Sequence, residues 1–139
     1  MVATPETTQQ KMPPRILVVD DSDEERMLIA DQLAEGGYSH IETASSGEEA
    51  LHRVSEGHVD LLVTDFVMPG LDGLQLMHRA LELDPRLEGR VLIVTGGMYG
   101  RIDALAFAAA TDVLTKPFHM VQLLRAVETL LSRPRPLQA

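Results

Sequence analysis

From Arg15 onward, short apolar runs alternate with amphipathic stretches along the chain. The runs Ile16-Leu17-Val18-Val19, Leu61-Leu62-Val63 and Val91-Leu92-Ile93-Val94 are almost continuously apolar. Strands buried on both faces read this way, which points to a parallel sheet covered by helices above and below. The pattern predicts strands near residues 15–20, 40–44, 59–64, 90–95 and 112–115. Helices are predicted near residues 23–35, 47–56, 73–83, 101–109 and 118–131. Five βα units in this length make a doubly wound α/β domain. The run His40-Ile41-Glu42-Thr43-Ala44 is the most polar and is expected at a sheet edge.

Local signals mark the helix ends. Ser22 with Glu25, and Ser46 with Glu49, match the S/T-x-x-E capping box. Gly36-Gly37, Pro85 and Pro134 stand where helices should stop. Residues 1–13, rich in Thr, Gln and Pro, are expected to be a disordered leader. Residues 14–132 form the predicted domain, followed by a short Pro-rich tail over 133–139.

Composition narrows the function. With 139 residues and 45% hydrophobic side chains, the chain can bury one full core. A net charge of −9 without a Lys/Arg cluster argues against a nucleic-acid partner. The absence of cysteine excludes disulfides, thiolate metal sites and thiol catalysis. With no secretory signal and no long apolar run, a cytoplasmic protein without membrane contact is the expectation. The five histidines (His40, His52, His58, His78, His119) lack metal-ligand spacing, and the methionines read as packing residues.

The chemistry gathers where the apolar runs finish. Asp20 and Asp21 end the first run, Asp65 the third, Thr95 the fourth, and Lys116-Pro117 follows the fifth. If these strands are parallel neighbours, their ends meet at one edge of the sheet, where open α/β folds bind ligands. Two carboxylates about 4 Å apart repel by about 4 kcal/mol at an effective dielectric of 20. Three of them raise one another's pKa or recruit a cation, and an all-oxygen site favours Mg²⁺.

The Asp20-Asp21 pair, Asp65-Phe-Val-Met-Pro-Gly-Leu-Asp-Gly73, Ile-Val-Thr95 and Leu-Thr-Lys116-Pro117-Phe118, in this order, resemble the receiver domain of two-component response regulators. That resemblance implies a flavodoxin-like (βα)5 fold with strand order 2-1-3-4-5, as in the chemotaxis-type regulators. It implies Asp65 as the phosphoacceptor, attacking the phosphorus of a phosphohistidine donor. Asp21, Asp65 and the backbone carbonyl of Val67 would ligate Mg²⁺ directly, and Asp20 mainly through water. Thr95 would hydrogen-bond a phosphoryl oxygen, Lys116 would pair with another, and the Lys116-Pro117 peptide would be cis. The implied partners are a sensor histidine kinase or histidine phosphotransfer protein, and a separate downstream protein.

Three departures from the family pattern carry expectations. Val113 stands where receivers usually carry Tyr or Phe, so the aromatic part of the usual switch is absent or replaced, Tyr99 and Phe118 being open alternatives. Gly96-Gly97 after Thr95 should loosen that loop, and its reordering is the expected signal. Val67 and Gly97, at the positions that govern phosphoryl lifetime, have no polar side chain to orient water, so self-dephosphorylation should be slow.

A stand-alone receiver without an output domain is the leading expectation, because the chain starts with Met and ends shortly after the last predicted helix. It is not expected to turn over a substrate. Passing the phosphoryl group on to a histidine phosphotransfer protein is an alternative, as is an interaction module that works without phosphorylation. A haloacid-dehalogenase-type phosphatase would need its aspartyl nucleophile on the first strand with a second acid two positions later. Here Asp20 is followed by Ser22.

Overall fold

The computed structural model describes residues 12–96 and 112–133. The elements run β1 (Arg15–Val19), α1 (Asp23–Glu35), β2 (His40–Ala44), α2 (Gly47–Ser55), β3 (Leu61–Asp65) and α3 (Gly73–Leu83). A 3-10 turn (Pro85–Leu87), β4 (Val91–Thr95), β5 (Asp112–Thr115) and α4 (Met120–Ser132) complete them. The predicted helix over 101–109 and most of the leader and tail lie outside the described residues.

All five strands pair in parallel in the order β2-β1-β3-β4-β5, with the polar β2 at an edge as its composition predicts. The two-residue period of each strand sorts its side chains into two cores. Leu17, Val19, Leu62, Val91 and Ile93 pack on one face with Ala50 and Val54 of α2 and Leu76, Met77 and Ala80 of α3. Ile16, Val18, Leu61, Val63, Leu92, Val94 and Leu114 pack on the other with Ile29 and Leu33 of α1 and Leu123, Val127 and Leu130 of α4. Covered on both sides, β1, β3 and β4 tolerate the continuous apolar runs that identify them.

Strand and helix boundaries fall within two residues of those predicted, and the differences have local causes. β3 starts late because Asp60 is occupied with the first residue of β1: its carboxylate accepts from the Arg15 amide at 2.9 Å, and its own amide donates to the Arg15 carbonyl at 2.8 Å. β3 also runs one residue further, since Asp65 is still in register with Val94. The two S-x-x-E signals form only half of a capping box. Ser22 and Ser46 accept from the amides of Glu25 and Glu49, but neither Glu side chain returns to its capping serine. Glu49 instead accepts from the amide and hydroxyl of Ser45, and Glu25 reaches Lys116. A complete box lies at α3, where Asp72 and Gln75 bond each other's amides at 2.8 and 3.0 Å. Ser46→Ala is expected to lower stability by about 1 kcal/mol, measured by urea unfolding, because the Glu49 amide loses its only side-chain acceptor at the start of α2.

Candidate metal centre and acceptor site

The carboxyl ends of β1 and β3, which are direct neighbours, set the first two acids side by side. Backbone pairing continues one residue past β1, with the Asp20 amide donating to the Ala44 carbonyl at 3.2 Å. The Asp20 side chain is therefore held at the sheet edge, only 1% exposed. Its Oδ1 accepts from the Ser22 amide at 2.9 Å, while Oδ2 is buried without a hydrogen-bond partner. Arg26 of α1 donates to the Asp20 carbonyl at 2.8 Å and fixes the backbone from behind.

Asp65 is equally constrained. Thr64 Oγ1 donates to the Asp65 carbonyl at 2.9 Å, and the Phe66 amide bonds the Val94 carbonyl at 3.0 Å. The loop beyond it folds back through a 2.7 Å bond from the Gly73 amide to the Phe66 carbonyl. Met68 and Leu71 anchor this loop by their burial, Gly70 takes a positive φ of 76°, and Val67 is left exposed. Gly73 approaches so closely that a Cβ there would lie 2.4 Å from the Asp65 carbonyl oxygen.

Lys116 closes the cluster from β5. Its amide donates to the Thr95 carbonyl at 2.7 Å, which ties it to the end of β4, and the Lys116-Pro117 peptide is cis as the resemblance implies. Its Nζ lies 3.2 Å from Asp65 Oδ1 and 3.8 Å from Asp20 Oδ2, and also hydrogen-bonds Glu25 Oε1. Thr95 is buried as the last residue of β4, on the same sheet edge.

Carboxylate oxygens of Asp20, Glu25 and Asp65 all lie within 4.8 Å of one another. Three carboxylates thus share one ammonium, and the electrostatics show it. Burial, partly offset by the Ser22 amide and reinforced by the Asp65 charge, pushes the Asp20 pKa up to about 6. Burial also raises Asp65, against the pull of Lys116. Burial opposes the charge of Lys116, yet the hydrogen bond to Glu25 and the nearby Asp65 hold its pKa above the ordinary lysine value.

Of the residues expected at this edge, Asp20, Asp65 and Lys116 are brought together and Thr95 lies beside them. Asp21 is placed differently. It is exposed and outside the carboxylate group, because the chain bends there into α1, whereas Asp20 still follows the strand. Glu25 is the member that the sequence reading missed. Its spacing from Ser22 had a sufficient explanation in capping, but Asp20 already occupies the Ser22 amide, and that competition was the available clue.

The donor set fits a hard divalent cation. Asp20 Oδ2 is an unsatisfied buried oxygen, a state that costs about 1–3 kcal/mol, and a cation held by Asp20 and Asp65 would offset both this penalty and the mutual repulsion.

A doubly wound, flavodoxin-like α/β sheet with an acidic cleft between β1 and β3 defines the class of protein. The chain matches the response regulator receiver domain over residues 16–128 and belongs to that family, the receivers of two-component signalling. It is 35% identical over 123 residues to the response regulator receiver protein CpdR of Brucella abortus, covering 84% of this chain and 96% of that protein. It is 38% identical over 125 residues to the response regulator MprA of Mycolicibacterium vanbaalenii, of whose length it spans 53%. Among solved structures, the chemotaxis protein CheY4 of Vibrio cholerae is similar with a TM-score of 0.78 at 27% identity, covering 86% of this chain and 99% of that one. TrrA of Thermotoga maritima, solved in complex with Mg²⁺-BeF, is similar with a TM-score of 0.75 at 34% identity, covering 84% and 98%. The receiver domain of the hybrid histidine kinase CckA is similar with a TM-score of 0.70 at 32% identity, covering 85% and 99%. Among the described residues, no helix is long and apolar enough to cross a membrane.

Proposed function

We propose that this receiver takes a phosphoryl group onto Asp65 from a phosphohistidine on a partner protein, in a Mg²⁺-dependent reaction, and signals through an altered protein-binding surface. The observation that carries the reading is the fixed Asp65 carboxylate, 3.2 Å from the Lys116 ammonium and next to the unsatisfied Asp20 Oδ2. An Asp65 oxygen attacks phosphorus, the N–P bond of the donor breaks, and an acyl phosphate forms while the imidazole leaves. Lys116 balances the charge of the incoming group, and the Thr95 hydroxyl donates to one of its oxygens. Asp20 and Asp65 would hold the metal, with Asp21 and the Val67 carbonyl contributing as the family resemblance implies. Bound Mg²⁺ offsets the negative charge that gathers during in-line transfer. The Mg²⁺-BeF complex of TrrA supports the same cation here, and the kinase-borne receiver of CckA supports a histidine-bearing partner. The protein is labelled once and catalyses no turnover beyond its own slow dephosphorylation, since Val67 offers no polar group to align water.

Mass spectrometry after incubation with Mg²⁺ and acetyl phosphate tests this reading. Wild type is expected to gain a single phosphoryl group, with no gain in chelator or in Asp65→Asn. Labelling that persists in Asp65→Asn would place the acceptor elsewhere.

A further inference from the structure

Glu25 occupies the third position of α1, where its side chain could return to the Ser22 amide. That amide is taken by Asp20 Oδ1 at 2.9 Å, so the Glu25 carboxylate instead crosses to β5 and accepts from Lys116 Nζ. The ammonium has three donor sites and faces three carboxylates: Glu25, Asp65 at 3.2 Å and Asp20 at 3.8 Å. Glu25 and Asp65 lie within hydrogen-bond distance of it and Asp20 adds its charge, so an incoming phosphoryl group must compete with carboxylates for the ammonium. The burial of each acid decides which contact yields first. The Asp20 side chain is 1% exposed and that of Asp65 12%, both held by strand backbone, whereas Glu25 is 47% exposed on a flexible stem. Glu25 also has somewhere to go, since its half-exposed carboxylate can turn outward into solvent.

We propose that Glu25 is a positioning residue for phosphoryl transfer, an internal anion that holds the Lys116 ammonium and must be displaced when the phosphoryl group on Asp65 claims it. The proposal rests on the assignment of Asp65 as phosphoacceptor. By competing for the same cation, Glu25 slows labelling and favours loss of the phosphoryl group. Its role differs from that of Asp20, whose side chain is buried and whose amide is still paired with β2. Glu25→Gln keeps the length and the backbone cap while removing the competing charge.

The test measures acetyl phosphate labelling at saturating Mg²⁺ in wild type, Glu25→Gln, Lys116→Ala and the double variant. Glu25→Gln is expected to label about five-fold faster than wild type, the size expected for freeing a half-buried ion pair. It should have no effect in the Lys116→Ala background, since the glutamate acts through the lysine. The ratio of Glu25→Gln to wild-type rates should also fall toward one as salt screens the pair, a readout that holds if Lys116→Ala labels too slowly to follow. An unchanged or slower Glu25→Gln rate, the same acceleration without Lys116, or a ratio indifferent to salt overturns the proposal. A wild type that takes up no phosphoryl group overturns instead the assignment of Asp65, and the role of Glu25 falls with it.

Discussion

Gly73→Ala is expected to destabilise the protein by about 2–4 kcal/mol and to slow labelling of Asp65 by at least about ten-fold. Two effects of opposite sign meet at this residue. Gly73 opens α3, and intrinsic helix propensity alone would make alanine better there by up to about 1 kcal/mol. Against this, the new Cβ would stand 2.4 Å from the Asp65 carbonyl oxygen and 2.9 Å from the Phe66 Cα. Both obstacles are backbone atoms, so no side-chain rotation relieves the overlap. Either α3 withdraws, breaking the 2.7 Å bond from the Gly73 amide to the Phe66 carbonyl, or β3 shifts at the acceptor itself. The steric effect is the larger, and it acts on the backbone of the reacting residue. Urea unfolding gives the first quantity as a lower midpoint at unchanged slope. The labelling time course under native conditions gives the second. A Gly73→Ala protein as stable as wild type would show that the loop can give by several tenths of an ångström, and the fixed placement of Asp65 would lose its main support.

That contact could not have been read from the chain. Gly73 was visible as part of the Asp65-to-Gly73 motif, but its approach to Asp65 is a tertiary contact between a strand end and the helix that follows it. By contrast, β1, β3 and β4 were legible because they are covered on both faces, which leaves apolar runs that no surface strand shows. The acids were legible for the complementary reason. Asp20 and Asp65 interrupt such runs, and a carboxylate in that position has to be explained by its neighbours. Lys116 and Thr95 became informative only once parallel order placed their strand ends next to Asp65. Glu25 was hidden because one spacing supports two structures. A glutamate three residues after a serine caps a helix, unless another carboxylate holds the serine amide first, and that depends on Asp20 following β1 by one more residue. Asp20 and Asp21 look equivalent in the sequence until the bend into α1 separates them, leaving the first buried and the second exposed. Val113 fills a strand position paired with Ile93 and packs against the core face shared by α2 and α3, which accounts for an aliphatic residue there. The loop of Gly97 and the helix predicted over 101–109 lie outside the described residues, so the expected signalling segment stands as an expectation from sequence.

Asp20→Asn is expected to make the metal-free protein more stable at pH 7, by about 1–3 kcal/mol, while abolishing its response to Mg²⁺. Asp20 has a folded-state pKa of about 6 against an ordinary value of 3.8, so the fold holds its proton more tightly than the unfolded chain does. A raised pKa means that this group's contribution to stability is complete below about pH 4 and is lost as pH rises through 6. At pH 7 the carboxylate is ionised, buried to 1% exposure, and faces Asp65 with one oxygen unsatisfied. Asparagine keeps the shape, can still accept from the Ser22 amide, and offers Asp65 a donor where the acid offered repulsion. The advantage of the variant should therefore shrink as pH falls from 7 to 4, a difference that cancels the titration of every other group common to both proteins. Magnesium reverses the ranking in the opposite direction. A ligand at a thousand times its Kd stabilises the folded state by about 4.1 kcal/mol, more than the variant's advantage, a gain open to wild type and closed to a variant lacking the buried carboxylate. Urea midpoints of both proteins at pH 4 and pH 7, with and without Mg²⁺, measure all of this in one matrix. Parallel pH curves, or equal shifts by Mg²⁺, would show that the buried oxygen of Asp20 is neither a burden on the fold nor a seat for the cation. The expected crossing would instead show a stability cost carried at the site for the sake of the metal that completes it.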